Sequence, residues 1–177
     1  MKFRKLQTTF ALALAMGVAI GAVALYLATF TTFLLQAILA LISMALIFFF
    51  LHPLAHFCTG LIYGVKTKYF FLSNSDFRKL NGVIGKLGNF IPTIGVKFDS
   101  SHLASVPRSK RAFLFGAGAI ISNVGMLVAL SVEINLNFGR VSIILGTLFI
   151  LASLGTELLF STKVGDLSKM KRELTLA

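Results

Sequence analysis

The sequence predicts a membrane protein with an all-α core of four transmembrane helices and short β-structure between the second and third helices. Hydrophobic residues make up 56% of the 177 residues, and the mean hydropathy is +0.88. Charged residues make up only 13%, against roughly 25% in soluble domains. Four apolar runs each reach the roughly 20 residues that a helix needs to cross a bilayer core. We therefore interpret residues 1–177 as a single polytopic membrane domain.

The first two predicted spans lie in the N-terminal third of the chain. The first, at about 8–28, follows a basic flank and has the alternative interpretation of a cleaved signal peptide. Its apolar stretch exceeds the usual 7–15 residues and further spans follow, which favours a retained helix. The second, at about 33–63, is longer than a bilayer requires, so it is tilted, kinked or protrudes on one side.

The third and fourth spans are predicted at about 112–132 and 141–160, and a β-containing interfacial segment at about 65–108 precedes them. Residues 65–72 are rich in aromatic side chains, and Asn81-Gly82 is a turn signal. Residues 91–98 read as a second strand, in which Pro92 favours a sheet edge because proline cannot donate to the ladder.

The charge distribution predicts both the partner and the orientation. Lysine and arginine number 17 against 6 acidic residues, giving a net charge of +11. The aromatic residues lie mostly inside apolar runs, which argues against a nucleic-acid partner, whereas an anionic lipid surface accounts for the excess. With four spans, every basic residue except Arg140 falls on one side of the bilayer. The positive-inside rule then places both termini and the central segment in the cytoplasm, in a multi-pass protein of the cell membrane.

Two histidines in the second span, His52 and His56, form a candidate metal site. Residues four apart share one helix face, with Cβ atoms about 6 Å apart, a spacing that suits one metal ion. The orientation brings the end of the fourth span, and Asp166 just beyond it, to the same side. Two histidines, one carboxylate and an open position form a typical catalytic zinc arrangement. The alternative is that the histidines are packed or hydrogen-bonded without a metal.

Three segments resemble the site-2 proteases, a family of intramembrane zinc metalloproteases. Residues 51–57 with 63–66 look like the family's metal-binding helix and following strand. Residues 111–123 are similar to its helix with an alanine-glycine-proline-x-x-asparagine pattern after an arginine. Residues 164–170 look like a variant of its leucine-aspartate-glycine element. The resemblance implies that His52, His56 and Asp166 bind zinc and that Asn123 lies near the site.

The chain departs from the family where the chemistry is done. Pro53 stands in place of the glutamate that accepts and delivers a proton, which favours a protein that binds metal but hydrolyses peptide bonds poorly or not at all, a pseudoprotease. Glu157, about two and a half turns before Asp166, is a possible substitute base, which leaves an active metalloprotease as an alternative. It would otherwise lie near the headgroups.

A third alternative is a non-enzymatic subunit of a membrane complex with structural histidines. If the chain is protease-like, we expect two partners: the lipid bilayer and a transmembrane segment of another protein.

Overall fold

Four long apolar helices dominate the computed structural model, which describes residues 4–7 and 9–175. Within those residues, four helical segments are long and apolar enough to cross a membrane: Phe10–Ala28, Phe33–Ile62, Arg108–Asn135 and Arg140–Val164. They correspond to the four predicted spans. Lys2 in the basic flank and Thr8, where the predicted first span begins, lie outside the described residues.

Along the chain, the first two membrane-length helices come before the β-containing segment and the other two come after it. Strand β1 (Arg4–Leu6) precedes α1 (Phe10–Ala28) and α2 (Phe33–Ile62), and the central segment contains β2 (Thr67–Asn74), a 3₁₀ turn (Asp76–Lys79), α3 (Gly82–Gly88), β3 (Pro92–Phe98) and α4 (Ser100–Ser105). Helices α5 (Arg108–Asn135) and α6 (Arg140–Thr156), a π-helical turn (Glu157–Ser161), α7 (Thr162–Val164) and α8 (Asp166–Thr175) complete the chain.

Helices α1 and α2 pack closely because α1 presents two glycines one turn apart. A Cβ on Gly17 would overlap the ring of Phe50, and one on Gly21 would lie 2.9 Å from Ile47. The Ser43 hydroxyl donates to the Gly21 carbonyl at 2.7 Å. Small residues at this spacing let apolar helices approach, so that dispersion and interhelical hydrogen bonds hold the pair.

Helix α5 is the central helix of the bundle. Half of the residues in its most apolar 18-residue stretch are buried, against 11% in the corresponding stretch of Arg140–Val164, which contains α6. Near its C-terminal end the fully buried carboxylate of Glu133 accepts a hydrogen bond from the Ser142 hydroxyl on α6 at 2.8 Å. Large apolar side chains on the outer faces of the helices are exposed, as expected for helices whose outer surface faces lipid.

The β-structure is more extensive than the sequence indicates. Strands β2 and β3 lie in the predicted segment and pair antiparallel, with Phe71 opposite Gly95. Pro92 begins β3, an edge strand, as predicted. In the described part of the chain the sheet has a third strand, β1, which pairs with β2 and had been interpreted only as a basic flank. Three residues show no alternation long enough to signal a strand, so only the pairing with β2 defines β1.

Candidate metal centre

The candidate ligands His52, His56 and Asp166 converge in the structure. His52 and His56 lie one turn apart on α2, and Asp166 begins α8. The Oδ2 atom of Asp166 lies 2.9 Å from His52 Nε2 and 3.0 Å from His56 Nε2. The three ligand atoms lie within 4.8 Å of one another. A tetrahedral zinc with bonds of about 2.0–2.2 Å needs ligand atoms roughly 3.4 Å apart, so the widest of these separations must close by up to about 1.4 Å when a metal binds.

The second nitrogen of each imidazole faces a hydrogen-bond acceptor, which favours the tautomer whose other nitrogen faces Asp166 unprotonated. His56 Nδ1 donates to the Leu114 carbonyl at 2.8 Å. His52 Nδ1 lies 3.5 Å from the Ser122 hydroxyl, which itself donates to the Gly118 carbonyl at 2.7 Å and therefore accepts from His52. Both Nε2 atoms are then unprotonated in the neutral imidazoles. Two lone pairs and a carboxylate oxygen facing each other require a shared cation, either a metal ion or a proton.

Asp166 is held in an orientation that leaves one oxygen for the histidines. Lys169 Nζ lies 3.0 Å from the other oxygen, Oδ1. Burial alone would raise the pKa of Asp166, but when a proton is the shared cation, the positive charge of His56 and hydrogen bonds with His52 and His56 hold this pKa well below its usual value. The carboxyl group is therefore ionised at neutral pH, as a metal ligand must be.

Gly118 on α5 leaves the space into which the ligands point. A Cβ at this position would overlap His56 Nε2 and lie 2.6 Å from His52 Nε2. Any side chain would thus fill the position between the two imidazoles. A cavity of about 100 Å³ also reaches all three candidate ligands, bounded on its other side by β3 and Phe115. Two imidazole nitrogens, a carboxylate oxygen and the open space beside Gly118 together fit a metal ion.

A larger cavity of about 460 Å³ adjoins the centre between α2, β3 and α6. His52, Pro53, Glu157 and Asp166 all line it. Glu157 begins the π-helical turn, and its Oε2 atom is buried without a hydrogen-bond partner among the described residues. Pro53 lies inside α2, which continues on both sides of it. The structure therefore brings Pro53 and Glu157, the substitute base that the sequence favours, to one cavity.

Asn123 follows Ser122 on α5 and bonds to Ser153, which lines the larger cavity. Its amide donates to the Ala119 carbonyl at 2.7 Å and its oxygen accepts from the Ser153 hydroxyl at 3.2 Å. It therefore ties α5 to α6, and it does not line either of the two cavities.

Two polar residues of the central segment that could approach the candidate metal centre, Asp99 and His102, have their partners away from it. Asp99 caps α4 through the Ser101 amide and pairs with Lys68 at 3.1 Å, while exposed His102 lies 3.4 Å from the Gly64 carbonyl.

Sequence reasoning missed the residues that support the ligands: Leu114, Gly118, Ser122 and Lys169. Gly118 and Ser122 do stand one turn apart on α5, as His52 and His56 do on α2. This matching spacing is visible in the sequence, but it does not tell how α5 is rotated relative to α2.

Comparisons with protein-family models, with curated proteins and with solved structures find no match to this chain. We therefore infer function from the residues of the site itself.

Proposed function

We propose that this chain is a metal-binding integral membrane protein of site-2-protease type whose peptide-bond hydrolysis is impaired or lost. The observation that carries the proposal is the convergence of His52 Nε2 and His56 Nε2 on one oxygen of Asp166, with both Nδ1 atoms committed as donors. This donor set favours zinc, since imidazole and carboxylate ligands with an open fourth position suit that ion. Bound there, zinc would supply Lewis acidity.

Pro53 supports the pseudoprotease form of the proposal. It occupies the position after the first histidine, where a His-Glu-x-x-His sequence has its general base. Its side chain has no group that can accept or donate a proton. General acid–base catalysis is typically worth about 10²–10⁴-fold, so hydrolysis would fall by that order even with the metal in place.

Glu157 supports the second candidate, an active metalloprotease with a different base. Its carboxylate lines the same cavity as His52 and Asp166 and has an oxygen without a hydrogen-bond partner among the described residues. Fluorogenic transmembrane peptides incubated with the zinc-loaded protein in detergent separate the two candidates. We expect no zinc-dependent cleavage; cleavage by the wild type that is lost in His56→Ala would overturn the pseudoprotease.

The charge pattern supports a place in the cell membrane with both termini in the cytoplasm. All basic residues except Arg140 then lie at the cytoplasmic face, next to anionic lipids. The candidate metal centre lies at that face, because Asp166 follows the last helix that could span a membrane. The partners we propose are the lipid bilayer and a transmembrane segment of another protein that enters the larger cavity.

The metal content of two matched glycine variants tests the proposed site. Gly118→Ala places a methyl group against both Nε2 atoms, whereas Gly155→Ala adds the same group where no atom lies within 4 Å. We expect close to one zinc per chain in the wild type and in Gly155→Ala, and none in Gly118→Ala. A wild type without metal would favour an imidazolium–carboxylate pair and the third alternative, a non-enzymatic subunit.

A further inference from the structure

The third candidate ligand, Asp166, begins a helix that a break in the backbone separates from the preceding helical segment. Asp166 begins α8 directly after Gly165, which has extended backbone with φ −103° and ψ −151°. The helical path from α6 through α7 is therefore broken one residue before Asp166. The Leu167 N–H donates to the Ser161 hydroxyl across this break at 3.2 Å, but the larger set of contacts that fixes the direction and register of α8 lies outside this segment.

Those contacts are made with the N-terminal half of α5. The Arg111 guanidinium pairs with Glu173, with Nη2 2.9 Å and Nε 3.0 Å from the same carboxylate oxygen. The two side chains are only 18% and 15% exposed. An ion pair shielded to this degree and made through two N–H groups has a better-defined geometry than an exposed surface pair.

A second contact lies between the ion pair and the metal centre. Met170 Sδ packs against Gly116, where a Cβ would lie only 2.5 Å from the sulfur. Asp166, Met170 and Glu173 are spaced by four and three residues, which places them on one face of α8. Along this face the partners on α5 run from Arg111 through Gly116 to the histidines beside Gly118. The two helices are therefore antiparallel, with the ion pair at one end and the candidate ligands at the other.

We propose that Arg111 and Glu173 are positioning residues that fix the register of α8 and so hold Asp166 at the metal centre. This inference rests on the metal site of the proposed function. A slip of α8 by one residue displaces Asp166 by about 1.5 Å along the helix axis. Metal–ligand distances tolerate only about 0.2 Å, so the register must be set by a directional contact at a distance from the ligand.

Zinc affinity measured by competition with a chelator tests the effect on the metal. Glu173→Gln keeps the shape of the side chain and removes its charge, and we expect zinc affinity to fall by about tenfold or more, as for other residues that support a ligand. The exposed Lys171→Gln, which removes one charge of the opposite sign from α8, is the control and is expected to bind zinc no more weakly than the wild type. The exchange Arg111→Glu with Glu173→Arg is expected to recover most of the affinity.

Two results of the affinity measurement would overturn the positioning role. One is a wild-type zinc affinity in Glu173→Gln. The other is a change of equal size in Lys171→Gln: an equal gain would indicate only the net charge of α8, and an equal loss only that α8 tolerates no substitution. With cobalt in place of zinc, we expect Glu173→Gln to change the absorption bands of the ion, because the Asp166 ligand shifts. Unchanged bands would contradict the proposal even if affinity fell.

A metal-free measurement separates this inference from the proposed function. Spin labels at Val124→Cys on α5 and Leu174→Cys on α8, in a Cys58→Ser background, report the register without any ion. We expect a narrow distance distribution in the otherwise unaltered protein and a broader or shifted one with Glu173→Gln. If the distribution is unaffected, the ion pair does not set the register; if the wild type binds no zinc, only the metal site fails.

Discussion

Helices α2 and α8 both supply candidate metal ligands, but they hold them in different ways. Helix α2 has 30 residues, packs against α1, α5 and α6, and carries His52 and His56 one turn apart. Helix α8 has ten residues, is mostly polar and amphipathic, and begins at Asp166 after the break at Gly165. The geometry of the histidine pair is thus built into one helix, whereas the position of Asp166 depends on packing between helices.

The difference predicts which substitutions affect metal binding. Changes on α2 that leave the imidazoles and their hydrogen-bond acceptors in place should be tolerated, because the helix backbone fixes the spacing. Changes that alter the contacts of α8 should weaken the site although they touch no ligand. The following predictions test this contrast, from the largest expected effect to the smallest.

Removal of a histidine on α2 should have the largest effect. His56 is 7% exposed, faces Asp166 and donates to the Leu114 carbonyl. We expect His56→Ala to lose zinc affinity by more than the 10–100-fold typical of residues outside the ligand set. Metal analysis after dialysis measures this, with the exposed His102→Ala as control. Equal zinc in the two variants would exclude His56 as a ligand.

Loss of the group that orients His52 should have an intermediate effect. Ser122→Ala removes the acceptor for His52 Nδ1, and we expect a loss of about tenfold in zinc affinity. Ser131→Ala is a close control, since the Ser131 hydroxyl makes the same bond to the carbonyl four residues earlier, at Leu127, on the same helix. Chelator competition should show no change there. An unchanged affinity in Ser122→Ala would mean that α2 alone orients His52.

Replacement of Pro53 should change stability more than zinc binding. Alanine restores an N–H that can bond the Phe49 carbonyl, and proline costs about 3 kcal/mol more than alanine in a helix interior. We expect Pro53→Ala to raise the unfolding temperature and to change zinc affinity by less than about threefold, because the histidine spacing is unaltered. Pro107→Ala, which lies before α5, is the control. A large fall in affinity would show that Pro53 shapes the site.

Asp99 should have the smallest effect, since it pairs with Lys68 and caps α4 and bonds to none of the candidate ligands. Hydrogen bonds from the Ser101 hydroxyl and from Lys68 hold the pKa of Asp99 below its ordinary value of 3.8. The ionised form is therefore favoured by folding, and its contribution is present at neutral pH and lost as the pH falls below about 3.8. We expect Asp99→Ala to lower the unfolding temperature slightly at pH 7, less at pH 3, and to leave zinc affinity unchanged. A loss of zinc affinity in Asp99→Ala would contradict the contrast between α2 and α8.

Much of the fold follows from local properties of the chain. Helix-length apolar runs identify the four helices, because backbone groups in an apolar medium must be satisfied within the helix. The strand position of Pro92 follows from its missing N–H. Strand β1 is not predictable in this way, since three residues carry no pattern and gain a partner only when β2 is in place. The same limit applies to Asn123, whose bond to Ser153 on α6 depends on how two helices are rotated.

The sequence by itself determined the helix positions, the basic flanks and the spacing of His52 and His56, because each depends on residues near one another in the chain. Only the tertiary structure decided that Asp166 meets both histidines, that Gly118 leaves the space between them and that Ser122 supports His52. These features depend on the rotation and register of α5 and α8. Side-chain packing and the Arg111–Glu173 ion pair set that register, and neither has a periodicity that can be read along the chain.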